Sequence, residues 1–127
     1  MDTNTIIWIV QILVAFAFIM AGFVKATQPK EKLAEKMAFV EDFSAGTIKA
    51  IGILEIAGGL GMIFPSLLNI LPILTPIAGV GLVLTMIGAI LTHIRRNEYS
   101  KILSNIVLLA LAAFVAYGRF VLVPIAG

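Results

Sequence analysis

The 127-residue chain is 61% hydrophobic and 13% charged, with a net charge of +2, one histidine and no cysteine. Soluble domains run near about 45–50% apolar and about 25% charged, so this composition belongs to membrane helices. The absence of cysteine leaves no disulfide framework, thiolate metal site, CxxC pair or covalent haem attachment, and a lone histidine cannot supply bis-histidine haem ligation within one chain.

Residues 6–24 carry no charge, 50–68 carry only Glu55, and 71–92 and 102–118 carry none. Each stretch approaches the roughly 20 residues that a helix rising about 1.5 Å per residue needs to cross about 30 Å of hydrocarbon. Four spans are expected. In the first, AFA at 15–17 resembles the small-residue site of a cleaved leader. The preceding MDTNT offers Asp2 and no Lys or Arg, where a leader carries its basic region, so the span reads as an uncleaved helix. Residues 25–47 form the one extended polar stretch. In PKEKLAEKMAFVEDF, Leu33, Met37 and Val40 recur at helical spacing, which predicts a short amphipathic helix on the bilayer surface. Pro65 and Pro72 bracket the turn between spans two and three, where the helix is expected to stop and restart. Pro76 falls in the first turns of span three, where a missing donor costs little. Short connections make successive helices antiparallel neighbours. The expected fold is an all-α transmembrane four-helix up-down bundle with a short amphipathic interfacial helix between spans one and two. It forms one integral-membrane domain over residues 1–127.

The basic residues are not spread evenly. Lys25, Lys30, Lys32, Lys36 and Lys49 lie around the first connection, and Arg95, Arg96 and Lys101 around the third. The second connection, PSLLNILP, has no charge, and only Arg119 lies near the far end of span four. The positive-inside rule makes the basic end cytoplasmic and puts both termini outside. The partner expected from this pattern is a lipid bilayer. Nucleic acid is not expected, because these lysines flank spans and are interleaved with Glu31, Glu35, Glu41 and Asp42.

Lipid is as apolar as leucine, so membrane helices associate through small residues and a few polar contacts. Stripes at alternating spacings of three and four are Gln11, Ala15, Phe18, Gly22 and Lys25 in span one and Gly52, Glu55, Gly59 and Met62, flanked by Gly58 and Gly61, in span two. Span three offers Ala78, Gly81, Thr85, Gly88 and Thr92, and span four Lys101, Asn105, Leu108, Ala112, Val115 and Arg119. Gly22, Gly52, Gly58, Gly59, Gly81 and Gly88 are the helix-packing candidates.

Glu55 falls on the glycine-lined stripe, about 12 Å into the membrane for a span starting near Thr47. A central acid costs at least about 2.5–3.5 kcal/mol and calls for a partner, water or a proton. Sorted by depth, Lys25, His93 and Asn105 share its half of the bilayer, whereas Arg119 lies about 27 Å along span four from Lys101. The expected polar pocket therefore comprises Lys25, Glu55, His93 and Asn105, with Arg119 as a separate outer-side contact. Other readings stay open: Lys25 and His93 as interfacial residues reaching for water, Asn105 as interhelical glue, and Arg119 as an interface anchor, with Trp8, Tyr99 and Tyr117 in aromatic belts. No metal site is expected.

AGFVK at 21–25, KAIGILEIAGGLGMIFP at 49–65, LPILTPIAGVGLVLTMIGAILTHIRR at 71–96 and YGRF at 117–120 occur in that order. As an ordered set they resemble the DoxX-like family of small four-span bacterial membrane proteins. The resemblance singles out Gly22, Lys25, Gly52, Glu55, Gly58, Pro65, Pro72, Pro76, His93 and Arg119. Relatives include a subunit of thiosulfate:quinone oxidoreductase and proteins linked to quinone or oxidative stress. The resemblance thus implies a bacterial inner-membrane protein with a quinone- or redox-linked role. No cofactor or electron carrier is encoded in the chain. On this reading it binds quinone as a ligand or anchors a redox protein partner that holds the carrier, and it is open to homo-oligomer formation. Whether it is itself an enzyme is left open. Glu55 and His93 suit proton transfer. Two other classes stand beside this one: a small-molecule or proton-coupled transporter, although small multidrug transporters carry their acid in the first span, and a scaffold or assembly factor acting through residues 25–47.

Overall fold

The computed structural model describes residues 1–125 and is helical almost throughout. Helix α1 spans Thr3–Thr27, opened by the Asp2 carboxylate, which accepts the Thr5 N–H at 2.8 Å. It ends where Gln28 turns extended, as a residue before proline is pushed out of the helical region. A single α turn, α2 (Lys30–Ala34), and a 3₁₀ turn (Ala38–Asp42) lead to α3 (Ala45–Leu68), capped by Ser44. Helix α4 spans Leu74–Arg95. After a 3₁₀ turn at Tyr99–Lys101, α5 (Ile102–Tyr117) runs directly into a π-helical turn, Gly118–Leu122.

Four helical stretches, Thr3–Thr27, Ala45–Leu68, Leu74–Arg95 and Tyr99–Leu122, are long and apolar enough to cross a bilayer. They pack as an up-down bundle in which α1 lies most extensively on α3, and α4 lies between α3 and α5. Val14, Phe18, Met62, Leu82, Met86, Ala112 and Val115 form the core. Ile12, Leu13, Phe16, Leu54, Leu84, Leu91 and Leu103 point outward, an apolar exterior suited to lipid. The chain is an integral membrane protein.

Three local features differ from the sequence expectations. The polar connection holds a short helix, α2, as expected, but the helix does not run on through Met37 and Val40; after Ala34 the chain passes into a separate 3₁₀ turn. Leu33 and Val40 are buried against Val24 and Ile48, so its apolar side is covered by the bundle's own end. Helix α3 also does not stop at Pro65; it continues to Leu68 and closes on Asn69 in the left-handed region, at φ 55°. Pro65 has no N–H to return to the Gly61 carbonyl, and the Thr75 hydroxyl from α4 donates there instead at 3.1 Å while accepting from Ser66 at 2.6 Å.

The third difference is the packing face of α4. Its buried residues are Thr75, Pro76, Gly79, Leu82, Met86 and His93. Gly81 and Gly88, expected at a seam, have open space where a side chain would project. The hydroxyls of Thr85 and Thr92 donate to the carbonyls of those two glycines, both at 2.9 Å. The Gly–Thr pattern is satisfied inside the helix and recruits no neighbour.

Candidate functional site

The closest seam in the bundle places the first polar pair. A Cβ on Gly22 would strike the Gly52 carbonyl, and one on Gly52 would sit 2.6 Å from the Gly22 carbonyl and 2.8 Å from the Ala26 nitrogen. At this crossing α1 and α3 touch backbone to backbone. One turn further along each helix, Lys25 Nζ donates to Glu55 Oε1 at 2.6 Å. The Glu55 side chain is 1% exposed and that of Lys25 14% exposed, so the intramembrane acid is matched by a cation that still reaches the bundle's edge. Gly59 continues the seam against the Ala15 carbonyl, and Gly58 faces the Leu82 side chain on α4.

His93 is held by a different carboxylate. Helix α4 ends in a Schellman turn: the Glu98 N–H returns to the His93 carbonyl at 2.8 Å and the Asn97 N–H to Ile94 at 3.0 Å, with Asn97 left-handed at φ 59°. Asn tolerates that conformation. The turn folds the Glu98 side chain back onto the imidazole, with Nδ1 3.0 Å from Oε1. The hydrogen bond with His93, reinforced by Arg96, holds the Glu98 carboxyl below the usual carboxylate range. Phe39 packs edge-on to the imidazole at 5.5 Å. Arg96 also donates to Asp42 at 2.7 Å, which fastens the polar connection to the end of α4.

Lys25 and His93 line the same two cavities. One, of about 290 Å³, runs between α3 and α4 and is walled mainly by Phe39, Phe43, Ile51, Leu54 and Met86. The other, of about 420 Å³, adds Lys101, Ser104 and Asn105. Asn105 Nδ2 is buried without a hydrogen-bond partner among the described residues. The expected foursome is therefore assembled in parts. Lys25, His93 and Asn105 share a cleft, whereas Glu55 lines neither cavity and reaches them through Lys25. No group of three His, Asp or Glu able to hold a metal occurs among the described residues.

Arg119 lies at the opposite end, as its distance from Lys101 required, but it is no exposed interface anchor. It is 3% exposed. The π turn after α5 swings it toward α1, where a Cβ on Gly118 would meet Ile7 Cδ1 at 2.8 Å. Its Nε donates to Gln11 Oε1 at 2.6 Å and its Nη1 to Asn4 Oδ1 at 2.8 Å and to the Val123 carbonyl at 3.0 Å. Gln11 in turn donates to the Met62 carbonyl at 2.6 Å. Trp8, expected only in an aromatic belt, covers the guanidinium with its centroid 5.3 Å away. Asn4 and Glu98 sit in no sequence pattern that marks them, and Gln11 stands only on the packing stripe of span one. Gln11, the only polar residue within the uncharged run 6–24, was the one readable signal.

No curated protein and no solved structure matches the chain. The model of the DoxX-like family matches residues 9–115, a segment that contains Lys25, Glu55, His93 and Asn105 and ends before Arg119. Over that length, with four bilayer-crossing helices in an up-down bundle, the chain belongs to the DoxX-like family.

Proposed function

We propose that the protein is the membrane subunit of a quinone-linked oxidoreductase or redox-stress system, binding a quinone head group in the cavity beside Lys25 and His93. One observation carries the reading: two proton-bearing groups, each fastened by its own carboxylate, open onto the same mostly apolar cavity of about 290 Å³. Small-molecule sites combine apolar walls with a few placed polar groups, and a flat ring bearing two carbonyl oxygens has that chemistry. Lys25 donates to one oxygen, and Glu55 aims the ammonium. With Nδ1 engaged by Glu98, His93 keeps its second ring nitrogen for proton exchange. A bound quinone supplies the electron-accepting ring, and a redox protein partner supplies electrons; the chain binds, orients and holds protons.

Purified protein titrated with a short-chain ubiquinone analogue tests this. Glu55→Gln leaves Lys25 without its anion, and binding is expected to weaken at least about tenfold, the low end of the about 1.5–3 kcal/mol of a hydrogen bond to a charged group. Unchanged affinity in folded Glu55→Gln protein would overturn the role given to Glu55 and Lys25, and no binding by the native chain would favour a scaffold.

A further inference from the structure

The end of the molecule remote from that cavity holds a cation with no anionic partner among the described residues. Arg119 is 3% exposed, its Nη2 is buried with no hydrogen-bond partner, and it forms no ion pair with any carboxylate among the described residues. Its other nitrogens meet neutral amide and carbonyl oxygens only. Every other charge buried in the bundle is answered: Glu55 has Lys25. Beside Arg119 lies a cavity of about 280 Å³ whose other walls, among the described residues, are Leu71, Pro72, Ile73, Pro124 and Ile125.

We infer that this cavity is a binding site for a single oxyanion, a phosphate or carboxylate, with Arg119 as its counter-charge. A guanidinium offers five N–H donors in a planar fork matched to oxyanions, and three of its positions here are committed. Gln11, Asn4 and Trp8 hold the fork rigid, so little freedom is lost when the anion arrives. The five apolar walls suit an oxyanion carried on an acyl chain, as in a phospholipid or a fatty acid, better than a free ion. The site is separate from the quinone cavity and does not depend on it.

The chain carries its own reporter, since its one tryptophan is the residue stacked on Arg119. The full-length protein in neutral detergent is titrated, with Trp8 fluorescence as readout, against dihexanoylphosphatidylglycerol, decanoate and inorganic phosphate. A saturable change is expected with at least one. Tenfold tighter binding of either amphiphile than of phosphate identifies a lipid source; equal binding identifies a free oxyanion. Arg119→Gln is expected to weaken binding at least tenfold, and Ile73→Trp, which narrows the cavity at a wall that makes none of the contacts of Arg119, to do the same. The Ile73→Trp arm is read by ligand retention on native mass spectrometry, since it adds a second indole. No saturable response to any of the three probes overturns the inference. So does affinity within twofold of the native protein in Ile73→Trp, or in Arg119→Gln that keeps its helical circular dichroism.

Discussion

Lys25 and Glu55 illustrate how one charge decides the fate of another in a membrane. With the Glu55 side chain 1% exposed, the acid cannot fall back on water, and its 2.6 Å contact with Lys25 is what makes the charge tolerable. Removing one partner from a buried pair typically costs about 3–5 kcal/mol, whereas replacing both with apolar residues can be close to neutral. Lys25→Met should therefore destabilise the protein by about 3 kcal/mol, the lower end of that range because Lys25 touches the cavity. Lys25→Met with Glu55→Leu should recover most of the loss. Helical circular dichroism during denaturant titration in mixed micelles measures both, and strictly additive losses would show that the two side chains are not coupled. The same comparison separates stability from binding: the double variant, though folded, lacks the ammonium that the quinone reading requires.

At the scale of the helix, glycine has two opposite meanings in this chain. Gly22 and Gly52 lie where backbone meets backbone, so a methyl group has nowhere to go. Gly22→Ala or Gly52→Ala is expected to cost about 1–3 kcal/mol by overpacking and to pull Lys25 away from Glu55. Gly81→Ala and Gly88→Ala project into open space and should be neutral or stabilising by up to about 1 kcal/mol, since alanine is the better helix former. Thermal unfolding of the four single variants in one detergent checks the contrast. The seams of α1 and α3 were legible because their small residues sit in register with a charge that needs company. That of α4 was not: Gly81 and Gly88 repeat with Thr85 and Thr92 at helical spacing, but each threonine is satisfied by its own helix. The buried face is drawn by Leu82, Met86 and His93 instead. Likewise Lys25 beside Glu55 followed from depth, while His93 on Glu98 depended on a left-handed Asn97. The inward swing of Arg119 depended on a π turn. Neither backbone departure has a hydrophobic period to announce it.

Across the whole molecule, the charge pattern divides the bundle into two unlike ends. Eight of the nine basic residues flank the first and third connections, and Asp42 bound to Arg95 and Arg96 joins those two connections physically. The cavity beside Lys25 and His93 opens at this end and the Arg119 cavity at the other. Translocating a short, lysine-rich connection is disfavoured, so the basic end should remain in the cytoplasm, with the amino terminus and Arg119 outside. A chain without cysteine makes the test direct. Lys32→Cys and Thr3→Cys, both at exposed positions, are expressed separately in bacterial cells and treated with a membrane-impermeant maleimide. Thr3→Cys should label in intact spheroplasts and Lys32→Cys only after permeabilisation. The reverse pattern would put the cavity of Lys25 and His93 on the outer face, and labelling of both from one side would be incompatible with a first helix that crosses the membrane. The expected pattern would set the cavity of Lys25 and His93 against the cytoplasm and that of Arg119 against the outer leaflet, so the two proposed sites would be kept apart by the length of the same four helices.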